Sequence, residues 1–131
     1  LLTGKELARI DLPFKPGGVW ATDKGVWVQG QADYPNGPWV VGAVDPNTTT
    51  IAAVTDVFDS QGAQFDFSFF DMVEGANAVW LTTNRGLVRV DHDTNRVSAV
   101  YTTIDGGGAT VTADAVWYAE AQGKKLYRIP L

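Results

Sequence analysis

The sequence predicts an all-β chain made of repeated antiparallel units, and three observations carry that expectation. A Val-Trp pair recurs in one setting, as Lys24-Gly25-Val26-Trp27-Val28, Asn77-Ala78-Val79-Trp80-Leu81 and Asp114-Ala115-Val116-Trp117-Tyr118. Short β-branched and aromatic runs are bounded by Gly, Asp, Asn and Pro, and no long stretch of helical period interrupts them. The chain has 131 residues, 45% hydrophobic and 19% charged, which fits one folded domain over 1–131 and leaves about 44 residues for each of three repeats.

That repeat length lies in the range of a four-stranded β-propeller blade. With strands labelled a to d from the axis outward, the first blade takes a from about Val19, b at Val26–Gln29, c at Trp39–Asp45 and d at Ile51–Val57. The second takes a near Met72, b at Ala78–Thr82, c at Leu87–Asp91 and d at Arg96–Thr102. The third takes a at Ala109–Thr112, b at Ala115–Ala119 and c at Lys125–Pro130, with no d strand. The repeats extend upstream of two of the Trp residues, where Gly17-Gly18-Val19-Trp20-Ala21-Thr22 matches Gly107-Gly108-Ala109-Thr110-Val111-Thr112. Between c and d, Val44-Asp45-Pro46-Asn47-Thr48 matches Val90-Asp91-His92-Asp93-Thr94. In these hairpin turns the leading Asp can accept from its own downstream backbone, Pro46 presets φ, and Asn47 or Asp93 tolerates the bridge or left-handed region.

Lys5–Leu12 precedes the first a strand and matches a d strand, so it is expected to complete the third blade. Three blades cannot fill a circle, since rings usually hold roughly four to eight. The expectation is therefore a homodimer forming one six-bladed ring, each N-terminal strand closing the partner's last blade. The rival reading is a piece of a longer propeller.

The phrases Ala78-Val79-Trp80-Leu81, Leu87-Val88-Arg89-Val90-Asp91-His92-Asp93-Thr94-Asn95-Arg96-Val97, Ala115-Val116-Trp117-Tyr118-Ala119-Glu120 and Lys125-Leu126-Tyr127-Arg128-Ile129 resemble those of the bacterial YVTN-type and virginiamycin B lyase-like β-propellers. The resemblance covers nearly the whole chain and implies the propeller fold. In the lyase it also implies a His and a Glu working with a divalent metal on one face of the ring. No such role transfers here: His92 fills the turn slot that Pro46 fills in the first blade, and Glu120 ends a repeat phrase.

Charge and composition exclude several classes. A net charge of −5 gives no cationic field for nucleic acid or anionic membrane surfaces. No apolar run reaches spanning length. The absence of cysteine removes disulfide frameworks and thiolate chemistry, and leaves the compartment open, the periplasm and secretion included. Asp56, Asp59, Asp66 and Asp71 lack the order of a calcium loop, and Gly106-Gly107-Gly108 lacks the lysine and helix of a phosphate loop, so no cofactor is expected. Trp20, Trp27, Trp80 and Trp117 are expected in the core, and Arg89 and Arg128 on the outside.

Loop lengths point to a working face. The first b–c connection (30–38) and the first d–a connection (58–70) are longer than their counterparts at 83–86 and 103–106, and both emerge on the same side of a blade. The second holds Phe65-Asp66-Phe67-Ser68-Phe69-Phe70-Asp71, whose alternation sets Phe65, Phe67 and Phe69 on one side. Each ring can bury ~150 Å², roughly 2 kcal/mol, so these rings belong in the channel mouth, in a protomer contact or against a ligand. As a ligand platform, Tyr34, Trp39 and the three Phe residues would hold an apolar or glycan group while Asp33, Asp66 and Asp71 orient it. The functional expectation is a non-catalytic binding scaffold for a small molecule, glycan or protein. The alternative is a metal-assisted lyase or hydrolase with acidic residues at the channel mouth.

Overall fold

The structure is a computed structural model that describes residues 4, 6, 8–57, 69–84, 86–101, 106–120 and 122–131, residues 69 and 70 by backbone only. Among the described residues there is no helix. Strands β1 (Lys15–Thr22), β2 (Gly25–Gln31), β3 (Trp39–Asp45) and β4 (Thr50–Asp56) pair in chain order as sheet I. Strands β5 (Phe69–Gly75), β6 (Ala78–Thr83), β7 (Gly86–Asp91) and β8 (Arg96–Tyr101) do the same as sheet II. Sheet III contains β9 (Gly107–Val111), β10 (Ala115–Glu120) and β11 (Leu126–Pro130). All pairings are antiparallel. The third strand of the first repeat has the bounds read from the sequence, while β1 and β5 begin several residues before Val19 and Met72.

The three Val-Trp pairs occupy one register. Trp27 lies opposite Ala43, Trp80 opposite Arg89 and Trp117 opposite Arg128. Successive residues of a strand point to opposite faces, so each Trp and the residue after it serve different neighbours. Trp27 and Val41 of sheet I pack against Met72, Val79, Leu81, Val88 and Val90 of sheet II. Trp80 and Leu87, on the other face of sheet II, pack against Val116 and Tyr118 of sheet III. Sheet II is thus covered on both faces, and every residue of β6 is buried. In β4 and β11 burial largely alternates along the strand.

Two expectations are corrected in part. Trp27 and Trp80 are core residues, 3% and 2% exposed, but Trp117 is only half-buried, because no sheet covers its face. Arg128 is exposed as expected, whereas Arg89 is half-buried; the guanidinium carbons of Arg89 and Arg128 lie 5.7 Å and 5.9 Å from the ring centroids of Trp80 and Trp117, so each cation is close to an indole ring. Within Lys5–Leu12 none of the described residues is in a strand. Ile10 and Leu12 instead join Phe14 against Val28, Val40 and Val44 on the outer face of sheet I. Gly30 and Gly42 make room for the Phe14 ring, which lies 3.0 Å from where a Cβ at Gly42 would stand.

The two c–d turns form as expected at their start. Asp45 Oδ1 accepts from Asn47 N at 2.8 Å, and Asp91 Oδ1 from Asp93 N at 2.9 Å and Thr94 N at 3.1 Å. The left-handed residue, however, is the fifth: Thr49 and Asn95 each have φ of 52°, with their N–H groups donating to the carbonyls of Asp45 and Asp91, both at 2.9 Å. A four-residue turn closed in this way needs its positive φ at the end, where the chain rejoins the ladder. Asn tolerates that conformation, whereas the branched Cβ of threonine crowds the backbone. Replacing Thr49 with Asn, the residue found at the matching position of sheet II, is expected to stabilise the fold by about 0.5–1 kcal/mol, read as a raised urea midpoint with unchanged m-value.

Candidate functional site

Antiparallel pairing in chain order sends the a–b and c–d turns to one end of each sheet. At that end a groove of about 590 Å³ opens between sheets I and II. Its walls are the β1–β2 turn, the β3–β4 turn and the start of the β7–β8 turn, with Trp27 and Ala43 at its base. His92, which replaces the proline of the matching turn in sheet I, stands in the wall.

His92 is the buried polar group of this groove, its side chain 6% exposed. Its ring meets Trp27 edge-on, 5.4 Å between centroids at 64°. Nε2 lies 2.9 Å from Glu74 Oε1, yet the angle is outside that of a hydrogen bond and the nitrogen has no hydrogen-bond partner. The pairing is therefore one of proximity. The other oxygen of Glu74 accepts from Asp23 N at 2.6 Å, so this carboxylate ties the turn of one sheet to the turn of the next. Lys24 donates to Asn77 Oδ1, and Asn77 Nδ2 donates to Asp93 Oδ2 at 2.6 Å. His92 N donates to Asn77 O at 3.0 Å. Turns of both sheets are thus fastened around the groove by named polar contacts.

The rim is acidic. Asp23, Asp45 and Asp93 line the groove against one lysine, Lys24, whose ammonium is already engaged. The Asn47 backbone N–H holds Asp45 below its ordinary value, with burial opposing. The Thr94 backbone N–H does the same for Asp91, helped by Asp93 N–H and the Arg89 charge. On sheet III the Arg128 guanidinium, 2.6 Å away, lowers Asp114. Asp45 and Asp91 remain anionic at neutral pH and hold the groove's turns in shape.

The opposite end carries the residues singled out from the sequence, and only some of them come together. Tyr34 is 60% exposed, its ring 3.3 Å below Lys15 Nζ, in a loop that contains a cis Tyr34–Pro35 peptide. Gln31 Nε2 closes that loop by donating to Pro35 O at 2.9 Å and Gly37 O at 2.8 Å. Trp39 packs against the core between sheets I and II, and its carbonyl accepts from Val57 N at 2.9 Å. Asp71 accepts from Trp20 Nε1 at 3.3 Å and Met72 N at 2.8 Å, fastening β5 to sheet I. Trp39 and Asp71 thus each make packing or hydrogen-bonding contacts within the fold. The backbone of Phe69 lies in β5, opposite Thr83. Phe65, Asp66 and Phe67 lie outside the described residues.

The sequence reading passed over His92 as turn filler. The usable signal was the exchange of proline for the chain's one histidine at matching turn positions. Glu74 gave no signal, because its pairing needs two elements distant in sequence. Among the described residues no three His, Asp or Glu side chains come together as a metal site. Compared with known family models and with curated protein sequences, the chain matches none.

The turn carboxylates set an acid limit. A carboxyl held below its ordinary value of 3.8 contributes stability above that value and gives it up as pH falls through the lower folded value. Asp91→Ala is expected to lower the melting temperature at pH 7, and the gap to the parent is expected to narrow as pH falls from 3.8 through the lower folded value of Asp91. Thermal melts from pH 7 down to pH 2.5 read the difference; a gap that stays constant with pH would remove the aspartate's charge from the account.

Proposed function

We propose that the chain is a β-propeller segment acting as a binding scaffold without chemistry of its own, and that the groove between sheets I and II receives a small neutral or cationic molecule. One observation carries the reading: an open groove between two sheets has an apolar base and an acidic rim, with the His92 ring, held between Trp27 and Glu74, in its wall. The apolar base formed by Trp27, Ala43 and Ala52 suits a carbon skeleton, and the rim carboxylates and amides suit hydroxyl or amine donors. Short glycans and small amines share that chemistry. Phosphate and carboxylate ligands are disfavoured by Asp23, Asp45 and Asp93. Glu74 supports binding over proton transfer, since one of its oxygens already accepts from the Asp23 backbone.

A second reading, the expanded loop face, has the exposed Tyr34 and its Lys15 partner in its favour. Amide and indole chemical-shift mapping separates the two, using neutral oligosaccharides, small amines and organic phosphates as probes. The groove reading expects shifts at residues 22–27 and 92–95 with the first two probe classes and none with phosphates. Shifts centred on residues 31–38 would move the site to the loop face, and no shift with either donor class would remove the groove.

A further inference from the structure

Two of the three repeats set an arginine beside the tryptophan of their second strand, and the first repeat does not. Arg89 lies opposite Trp80 and Arg128 opposite Trp117, whereas Ala43 lies opposite Trp27. The guanidinium carbons of the two arginines stand 5.7 Å and 5.9 Å from the indole centroids. Sheet II shows what holds such a cation. Arg89 Nη1 donates to Ser98 Oγ at 2.6 Å, Nη2 donates to Ala76 O at 3.2 Å, and Nη2 lies 3.4 Å from Asp91 Oδ2. A ring, a carboxylate, a carbonyl and a hydroxyl therefore surround the guanidinium.

The ladders carry each of these positions over to sheet I. Thr22 pairs with Gly25 as Gly75 pairs with Ala78, which sets Asp23 in the place of Ala76. Ala43 pairs with Ala53 as Arg89 pairs with Ala99, which sets Asp45 in the place of Asp91 and Ala52 in the place of Ser98. Trp27, Asp23, Asp45, Ala52 and Ala43 all line the groove. Each set lies within a single sheet, so the match does not depend on how neighbouring sheets meet. Sheet I thus keeps the surroundings of the Arg89 guanidinium with three changes. The arginine is missing, a methyl replaces the Ser98 hydroxyl, and the Asp23 carboxylate replaces the Ala76 methyl. Exchanging a neutral acceptor for an anionic one strengthens the preference for a cation. Asp45 is anionic at neutral pH, because the Asn47 backbone N–H holds it below its ordinary value. Lys24, the lysine of the groove, donates instead to Asn77 Oδ1.

We infer that the groove takes an alkylguanidinium ligand, whose cation sits beside Trp27 and Asp45 as the Arg89 guanidinium sits beside Trp80 and Asp91. The ligand supplies from outside the side chain that Ala43 lacks. A planar guanidinium can pair with a carboxylate through two N–H groups while its face or edge meets an indole. Ala43 then sets the specificity, since its methyl leaves open the space that an arginine fills at the matching position. A volume of about 590 Å³ remains in the groove, against about 230 Å³ beside Trp80 and Arg89. The inference rests on the groove reading and names the ligand class for it.

The probes are n-butylguanidinium and its neutral isostere n-butylurea, titrated at millimolar concentration while amide and indole chemical shifts are followed. The guanidinium is expected to shift the Trp27 indole and the amides of residues 22–27 and 43–47 saturably, and the urea to leave them in place. Ala43→Arg restores the missing side chain, so it is expected to abolish these shifts while keeping the parent's far-UV circular dichroism. Should that variant lose its fold, Asp45→Asn, which keeps an acceptor for the turn and removes the charge, is expected to weaken the guanidinium roughly tenfold or more. Equal responses to the two probes, undiminished binding by the folded variant, or no groove shift with the guanidinium would each overturn the inference. In the last case, groove shifts with neutral oligosaccharides leave the broader ligand reading standing, and silence with every probe removes both.

Discussion

Sheet II is apolar on both faces, and the rest of the structure follows from covering it. Trp80 and Leu87 point one way, Leu81 and Val88 the other, and all four are at most 2% exposed. Burying each such side chain is worth roughly 1.5–3 kcal/mol, far more than an exposed ion pair such as Arg9–Glu6 contributes. No single sheet can meet that demand alone. A strand buried on both faces requires flanking sheets, so the smallest folded unit of this sequence is a stack. The turns then inherit their positions, because antiparallel strands of similar length deliver their hairpins to common ends.

That packing explains where the groove lies. Sheets joined by large side chains at their middles stay apart where the strands run out into turns. Between sheets I and II the gap is bridged by polar groups: Glu74 reaching the Asp23 backbone, Lys24 reaching Asn77, and Thr55 Oγ1 reaching Asn95 O. His92 takes the place of a proline at this spot and supplies a planar ring against Trp27. A proline there would present no side-chain nitrogen. One substitution between otherwise matching turns therefore puts an aromatic ring, packed on Trp27 and beside Glu74, in the wall of the groove.

Much of the fold was legible because its determinants are local. The Asp that opens each c–d turn acts on backbone two or three residues ahead, so Asp45 and Asp91 could be read from the sequence, and β3 was bounded correctly from Trp39 to Asp45. The position of the left-handed residue was not, since it depends on how the turn rejoins the ladder, and it falls at Thr49 and Asn95. Alternation tells which residues share a face but not whether that face has a neighbour, and for this reason Trp117 was grouped with Trp27 and Trp80. The same limit applies to the packing of Trp39 on the core and to the bond from Trp20 to Asp71, which join segments distant in sequence. The pairing of His92 with Glu74 joins separate hairpins, and nothing in either segment alone announces it.

Repetition makes the unequal burial of equivalent residues informative. In an isolated sheet an exposed leucine requires no explanation, because folded surfaces contain many apolar atoms. Leu126 is different, since the same register position holds Val41 and Leu87 at 0% exposure under the same neighbours. Val19 stands in the same relation to Met72. The two exposed residues lie on opposite outer faces of the stack, and their buried counterparts lie on opposite sides of one joint. β11 begins with Leu126 on one outer face, and β1 sets Val19 on the other. Equivalent residues of a repeat therefore differ in burial through the neighbours that their sheets have and not through their own chemistry.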